Sequence, residues 1–409
     1  MQTGDLKLVK SINDRLVLNL IRTNRIISSS DLVKVTGMRP STIFNILNDL
    51  SAKSMVINLG KGESTEKGGK KPYLWSLNKD AAYAIGLDFE IGQLTAVVLD
   101  FSADIVAKKT YKVEEFESLD ELVKQIIMIV DDVLADSKAE GSKVIGMGIA
   151  VAGIVNSETG VAVMTSVFQQ MNVPFLSALK KHYSFPIVVE NNANASAVGD
   201  KWVGVAKESK NCMTVLVEFD KIFRGMGIGL IINEELYHGS SFSAGEINSP
   251  LLNLREMLDN VRNLLSKGAI LKQYESTPDL IDVNIMIDAA KQGDEVALAF
   301  FKRLGYLIGR SISGYIAVLN PDMLIISGDI AELGEIIAAP VKSSIDLQVL
   351  SITSETLSVV TSSHGHYSVA MGAASIILSN HFKVPNVRMI SFGAAGRGAK
   401  KVSSARRAS

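Results

Sequence analysis

The stretch that decides the fold is VVENNANASAVGD, from Val188 to Asp200. The apolar run from Phe185 to Val189 predicts a buried strand, and the small residues after the polar turn predict a helix. In an open α/β sheet, ligands bind beyond the carboxyl ends of the strands. The carboxylate of Glu190 and the amides of Asn191 and Asn192 therefore predict a hydrogen-bonding site for a polyhydroxylated ligand.

Strands and helices alternate on both sides of this stretch, which is typical of an α/β chain. The predicted strands are Ala84–Asp88, Thr95–Leu99, Val144–Val151, Met213–Phe219 and the apolar part of Asn320–Gly328. The predicted helices are Ser118–Asp136, Leu254–Leu265, Asp282–Gln292, Asp294–Leu319 and a small-residue helix that contains Ala370–Ala374.

The bulk composition is that of an ordinary globular protein. A chain of 409 residues with 47% apolar and 21% charged residues can form two or three domains, each with its own core. No apolar run reaches the length of a membrane span, and no secretory signal follows Met1. The single cysteine, Cys212, excludes an internal disulfide and a multi-thiolate zinc site. We expect a cytoplasmic protein without membrane contact.

Charge is distributed unevenly along the chain. Residues 1–75 contain 12 Lys and Arg against 6 Asp and Glu, whereas the remaining 334 residues contain 30 against 37. A basic N-terminal segment on an acidic body predicts that this segment meets a polyanion. The alternative is a basic face that is merely solvated.

A helix-turn-helix is predicted within the basic segment. Ser30 can cap a short helix over Asp31–Thr36, and Gly37 can adopt the left-handed backbone that a tight turn requires. The second helix starts at Pro40 or Ser41, because both residues favour a helix start.

The second helix of this pair has two distinct faces. Its apolar positions are Ile43, Ile46, Leu47 and Leu50. Its polar positions are Arg39, Ser41, Thr42, Asn45 and Asn48. Short and hydrogen-bonding side chains on the outer face are suited to base edges and phosphates, so these five residues are predicted to bind DNA.

Two strand-like runs follow, Met55–Leu59 and Tyr73–Leu77, and the loop between them is glycine-rich and basic. Together with a helix over Ile12–Arg22, the order predicts a winged helix-turn-helix. A three-helix bundle that does not bind DNA is the alternative.

The turn Asn191–Asn194 and the segment Ala244–Ile247 resemble motifs of the ROK family, which contains sugar kinases and sugar-responsive repressors. Repressors of the family carry a winged helix-turn-helix at this position, and its kinases generally lack one. Over roughly residues 10–380, the chain is similar to regulators of the xylose and N-acetylglucosamine repressor type. The resemblance also places Lys70 and Lys71 on the family's Gly-Arg-Pro linker, which lies near the minor groove.

The resemblance implies an α/β protein with an N-terminal winged helix-turn-helix and a two-lobed, actin-like or ribonuclease-H-like sugar kinase fold. The expected divisions are 1–78 for the DNA-binding domain, 79–200 for the first lobe, 201–385 for the second lobe with the dimerisation surface, and 386–409 for a disordered basic tail.

The residues that transfer phosphate in the family's kinases are changed in this chain. The family's Asp that takes the proton from the sugar hydroxyl is replaced by Asn192. The family's Asp-x-Gly-Gly-Thr turn, which approaches the ATP phosphates, is Asp88-Phe89-Glu90-Ile91-Gly92 here. We expect Phe89, Glu90 and Ile91 to obstruct the phosphates, since bulk prevents close approach and a carboxylate repels a polyanion.

Other motifs of the family are also altered. Its zinc loop of cysteines is absent, and its Gly-His pair is Asn248-Ser249. His364 and His366 alone are poor evidence for a metal site. Gly225–Gly229 matches the family's glycine loop, but this alternation fits equally well a strand packed tightly against a neighbour. We expect no catalytic residue, no metal and no cofactor.

Four residues are predicted to hold a ligand, namely Ser166, Asn191, Asn192 and Glu246. By the resemblance, Ser166 replaces an Asn beneath the sugar, and Gln170 replaces a nearby Trp. Affinity for the family's usual hexoses should be weakened, because missing hydrogen-bond partners cost about 1–3 kcal/mol each where buried.

The leading hypothesis is that the chain is a transcriptional regulator of carbohydrate metabolism, and specifically a repressor. We expect it to bind a palindromic operator as a homodimer or homotetramer. Its kinase-like body would sense a sugar or sugar derivative. One alternative is an ATP-dependent sugar kinase with an appended DNA-binding domain. Another is a body that binds no small molecule and serves only for assembly.

Overall fold

The computed structural model describes residues 3–62, 71–90, 92–113, 118–137, 139–165, 171–219, 223–247 and 283–383, without the side chains of 3–7 and 223–224. Contacts divide the chain into two compact units, Met1–Asn78 with His381–Ser409 and Lys79–Asn380. No helix of the described ranges is long and apolar enough to cross a membrane. The predicted helix Leu254–Leu265 and the predicted tail 386–409 lie outside the described residues.

The N-terminal unit packs helices on a small antiparallel sheet. Its elements are α1 (Thr3–Asn24), β1 (Ile26–Ser28), α2 (Ser29–Thr36), α3 (Pro40–Ala52), β2 (Val56–Lys61) and β3 (Tyr73–Leu77). The middle strand, β3, pairs with β1 on one side and with β2 on the other. The predicted hairpin is present, whereas β1 is too short to leave a sequence pattern.

The turn between α2 and α3 is formed as predicted, but the cap of α2 is not. Gly37 adopts φ 67°, and its N–H donates to the Val33 carbonyl at 2.9 Å. The cap is Ser28, whose Oγ accepts a hydrogen bond from the Asp31 N–H at 3.0 Å. Ser30, predicted for this role, lies instead in the first turn of the helix. Ser28 is the cap because β1 ends there with extended backbone.

The larger unit begins with a five-stranded sheet in the order β11-β7-β4-β5-β6. Its strands are β4 (Tyr83–Glu90), β5 (Gln93–Asp100), β6 (Ile105–Lys112), β7 (Val144–Val151) and β11 (Ile187–Asn191). A small antiparallel sheet is formed by β8 (Gly153–Asn156), β9 (Val161–Thr165) and β10 (Met171–Val173). The helices of this half are α4 (Leu119–Ser137) and α5 (Phe175–Leu179). Both pack their apolar residues into the core of the five-stranded sheet.

The second five-stranded sheet has the order β14-β13-β12-β15-β16. Its strands are β12 (Cys212–Phe219), β13 (Phe223–Ile232), β14 (Glu235–Leu236), β15 (Met323–Ser327) and β16 (Ser358–Thr361). The helices are α6 (Asn192–Trp202), α7 (Val283–Lys291), α8 (Glu295–Leu319), α9 (Glu335–Asp346), α10 (Ser351–Thr356) and α11 (Ser368–Phe382). Gly225–Gly229 lies within β13, so the strand alternative is correct and the loop is not formed.

Both sheets follow one plan. In each, a first strand (β4 or β12) starts an antiparallel series of three strands on one side and pairs with parallel strands on the other. The larger unit is therefore a mixed α/β structure with two similar halves, as the sequence predicts.

Helices α6 and α11 pack closely against each other and share an apolar cluster with both halves. A Cβ on Gly372 of α11 would lie 1.8 Å from the Ala195 carbonyl oxygen of α6. A Cβ on Gly229 of β13 would lie 2.3 Å from the Ala193 carbonyl oxygen. These contacts allow no side chain at either glycine, and they fix the start of α6 relative to the second sheet.

Candidate functional site

Asn191 ends β11 and caps α6. Its Oδ1 accepts a hydrogen bond from the Asn194 N–H at 3.0 Å, which holds the helix start. Its Nδ2 donates to the Gly153 carbonyl at 2.8 Å and to Glu246 Oε1 at 3.1 Å. Asn191, at the end of β11, therefore connects β8, α6 and the loop after β14. Asn191 and Glu246, predicted as ligand residues from distant segments, lie together.

The carboxylate of Glu190 is buried and accepts hydrogen bonds from the residues around this turn. Its Oε1 accepts hydrogen bonds from the Asn191 N–H at 2.9 Å and from Asn194 Nδ2 at 3.0 Å. Its Oε2 accepts from His238 Nε2 at 2.8 Å, and the same nitrogen lies 3.3 Å from Ser157 Oγ. His238 is not among the predicted site residues, because a single histidine in a loop carries no periodic signal.

Asn192 faces a different carboxylate. Its Oδ1 accepts from the Ala193 N–H at 2.9 Å, and its Nδ2 donates to Glu218 Oε1 at 2.5 Å. The residue is 4% exposed. An amide held in this way has no lone pair suited to removing a proton from a sugar hydroxyl. Glu218 is not among the predicted site residues either, although its place at the end of β12 is a signal that could have found it.

Glu246 offers the carboxylate that a ligand can reach. It is exposed, while the surrounding protein still desolvates the carboxyl group enough to raise its pKa. Oxygen atoms of a carboxylate accept hydrogen bonds from hydroxyl groups, and the Asn191 amide fixes one of them in position. This pair can orient a polyhydroxylated molecule. Ser166, the other predicted ligand residue, lies outside the described residues.

The end of β4 has acidic surroundings. Asp88 is 2% exposed, and its Oδ1 has no hydrogen-bond partner among the described residues. Burial, followed by the charges of Glu90, Glu218 and Asp329, raises the Asp88 pKa well above its ordinary value. Glu90, Glu218 and Asp329 thus place negative charge around the buried Asp88.

The expected obstruction by Phe89 is wrong. Its side chain is 0% exposed and packs in the core of the first sheet, because alternate residues of a strand face opposite sides. Glu90 is half-buried at the end of β4 and contributes the negative charge. Ile91 lies outside the described residues.

His366 joins the two halves of the larger unit. Its Nδ1 lies 3.2 Å from Asp329 Oδ1, and its Nε2 lies 3.3 Å from Gln93 and from the hydroxyls of Thr95 and Thr110. The hydrogen bond with Asp329 raises the pKa of His366. Among the described residues, no group of three His, Cys, Asp or Glu side chains is arranged to hold a metal.

The outer face of α3 presents the predicted polar side chains. Exposed on it are Arg39, Ser41, Asn45 and Asn48, with Thr42 half-buried. The predicted apolar stripe, Ile43, Ile46, Leu47 and Leu50, is buried. Lys71 is exposed at the start of the segment that leads into β3, and Lys70 lies outside the described residues. The structure therefore brings helix residues together on one face.

Three comparisons describe what the chain is similar to. The model of the ROK family matches residues 84–380. The xylose repressor of Bacillus subtilis (strain 168) is 27% identical over 389 residues, which cover 93% of this chain and 98% of the relative. The DNA-binding transcriptional dual regulator NagC of Escherichia coli (strain K12) is 23% identical over 397 residues, with 92% and 94% covered.

Among solved structures, a ROK family transcriptional regulator described as a homolog of the E. coli MLC protein superposes with a TM-score of 0.72 at 19% identity. The alignment covers 92% of this chain and 97% of that one. It shows that the fold is shared along nearly the whole length.

Proposed function

The chain belongs to the ROK family, and from this premise we propose that it is a sugar-responsive transcriptional repressor that binds DNA. The observation that carries the proposal is the match with sugar repressors along nearly their full length, including the N-terminal unit. The family model itself begins only at residue 84. DNA binding is thus assigned to the segment before it.

We propose that residues 1–78 form a winged helix-turn-helix. Support comes from the tight turn at Gly37, the polar outer face of α3 and the hairpin β2–β3 in the position of a wing. An α-helix of this kind enters the major groove with its first residues near base edges. Arg39 at the start of α3 and Lys71 beside the hairpin are assigned to phosphates, and Lys70 is assigned with them.

The remaining divisions are proposals too. We assign 79–200 to the first lobe, 201–385 to the second lobe with the dimerisation surface, and 386–409 to a disordered basic tail. A homodimer or homotetramer would place two copies of α3 in successive major grooves of a palindromic operator. Such an operator lies in the cytoplasm, which we take as the location of the protein.

The body is proposed to sense a sugar or sugar derivative through Asn191 and Glu246. The amide is held by α6 and by the start of β8, while the carboxylate is exposed. A ligand on this pair would contact the carboxyl end of β11 and the loop after β14. Asn192 has fewer hydrogen-bonding groups for a ligand, because its amide nitrogen already donates to Glu218.

We further propose that the body does not transfer phosphate. The rival, an ATP-dependent sugar kinase with a DNA-binding domain, is favoured by one observation, the Glu218 carboxylate next to Asn192. Against it stand the amide at the position of the general base and the acidic surroundings of Asp88. A general base contributes about 10²–10⁴-fold to a rate, and carboxylates near Asp88 repel a triphosphate.

The test is selection of DNA fragments by the full-length protein, with and without xylose, glucose, N-acetylglucosamine and their phosphates. We expect a palindromic sequence to be enriched and one of the sugars to reduce its recovery. Failure to enrich any sequence would overturn the regulator. Enrichment that no sugar alters, together with the absence of any thermal shift, would favour a body that serves only for assembly.

A further inference from the structure

One side chain on the outer face of α3 does not fit its polar neighbours. Ser41, Phe44, Asn45 and Asn48 form a single row at helical spacing, opposite the buried stripe. Phe44 is 64% exposed, although it is the largest side chain of the row. It lies in the middle of the surface that is proposed to face DNA.

Packing within the N-terminal unit does not account for Phe44. The buried stripe of α3 is filled by aliphatic residues, and Phe44 lies on the opposite side of the helix. Single exposed apolar side chains are common on protein surfaces. This one, however, is flanked on both sides by side chains that are suited to base edges, so its chemistry determines what the row can recognise.

A phenyl ring has no hydrogen-bond donor or acceptor. Among the groups on the major-groove edges of the four base pairs, the 5-methyl group of thymine is the one that accepts an apolar contact. Insertion of apolar side chains between base steps is a device of minor-groove binders, whereas an α-helix fits the major groove. The ring is therefore matched to a methyl group rather than to a gap between bases.

We propose that Phe44 is a specificity-determining residue, which contacts a thymine 5-methyl group in each half of the operator. This inference rests on the proposed DNA-binding function and adds the base that one position of α3 selects. Asn45 follows directly on the row, and an amide is suited to the N6 and N7 atoms of adenine. Together the two residues select A·T pairs in each half-site.

The experiment uses the full-length protein and the DNA sequence it selects. Each thymine is replaced in turn by deoxyuridine, which removes only the methyl group and keeps the base pair. We expect one symmetry-related pair of thymines to be sensitive, with affinity falling about fourfold for each methyl group removed. Phe44→Ser should bind the thymine and uracil versions equally, and Phe44→Leu should keep most of the difference.

Val35→Ser is the matched control. Val35 is 65% exposed on α2 and does not belong to the row, so this variant should keep the full sensitivity to uracil. Thermal melting should show each variant folded, because both side chains are exposed. If DNA is bound but no thymine responds to removal of its methyl group, the role of Phe44 is overturned while DNA binding stands. The same holds if Phe44→Ser remains sensitive. If no DNA is selected at all, both proposals fail.

Discussion

At the scale of single residues, the surroundings of Asn192 disfavour a second carboxylate at this position. The amide nitrogen donates to Glu218 at 2.5 Å. In Asn192→Asp, two carboxylates would stand in contact, and like charges this close share a proton instead of ionising together. We therefore predict that Asn192→Asp alone gives no hexose-dependent release of ADP from ATP.

The double variant Asn192→Asp with Glu218→Gln serves as the control for this prediction, since it relieves the repulsion. It should also remain inactive, because Glu90 and Asp329 keep negative charge beside Asp88. Hexose-dependent release of ADP by either variant would contradict the prediction, because it would show that the body can still bind ATP and transfer phosphate.

His366 predicts a pH dependence of stability. Its folded pKa is raised above 6.5, chiefly by the hydrogen bond with Asp329. A raised folded pKa means that the contribution to the free energy of unfolding is complete below the unfolded pKa and is lost as the pH rises through the folded pKa. Urea titrations at about pH 5.5 and about pH 8.5 should show that His366→Gln costs more stability at the lower pH.

Asp329→Asn should reproduce this pH dependence, since it removes the partner that raises the pKa. Other histidines cancel in the difference between variant and parent. A cost that is equal at both pH values would exclude an ion pair between His366 and Asp329.

Residue roles were predictable where a pattern constrained them. Ile43 and Leu47 are buried as their spacing indicates, and Asn191 meets Glu246 as the resemblance implies. The cap of α2 differs from the expected one because Ser28 and Ser30 have the same chemistry, and only the end of β1 distinguishes them. No sequence pattern indicated His238, because its hydrogen bond to Glu190 joins residues 48 positions apart.

At the scale of elements, α3 was the most predictable part of the chain, because its buried stripe fixes which side faces outward. Strand β13 was ambiguous by sequence, since alternating glycines fit a phosphate loop and a tightly packed strand equally. The choice depends on α6, whose carbonyl groups occupy the space beside Gly229. Local sequence does not contain that neighbour.

The outward side of α3 also carries a prediction about salt. Arg39→Glu should weaken operator binding and flatten the dependence of log affinity on log salt by about one unit for each phosphate that the variant no longer neutralises. Lys143→Glu makes the same change of charge in the larger unit, where Lys143 pairs with Glu140 at the surface. Fluorescence anisotropy between about 50 and 200 mM salt, a range over which such effects are large, would measure both.

The salt slope for Lys143→Glu should equal that of the parent protein. An unchanged slope for Arg39→Glu would remove Arg39 from the residues that bind phosphate. The docking of α3 by its first turn would then need another anchor.

At the scale of the whole molecule, the repeated plan of the two sheets was predictable from the alternation of strands and helices. Function at this scale requires that the ligand site and the DNA-binding unit be coupled. If a sugar lowers operator affinity by some factor, operator DNA must lower sugar affinity by the same factor. Calorimetric titration of the sugar with and without operator DNA should give matching factors, within the range of about 5–150 that is usual for such coupling.

Glu246→Gln is the control for this coupling. It should lose the response to sugar and keep operator affinity, because Glu246 belongs to the larger unit and not to α3. Sugar affinity that does not change when operator DNA is present would mean that binding of sugar and of DNA are independent.

The close approach of α6 to α11 and to β13 has a consequence for how such a chain can diverge. Gly372 and Gly229 each face a carbonyl oxygen with no space for a methyl group, whereas the Glu246 side chain is exposed and has room for another side chain. Substitutions at the two glycines displace the backbone, and substitutions at Glu246 change an exposed carboxylate that we propose binds the ligand. A saturation library scored for folding should therefore be intolerant at the glycines and permissive at the exposed Glu246, whereas Asn191 should accept only residues that can cap a helix. Different residues thus determine the backbone packing and the chemistry of the site, so a chain with this fold can change its chemistry without changing its fold.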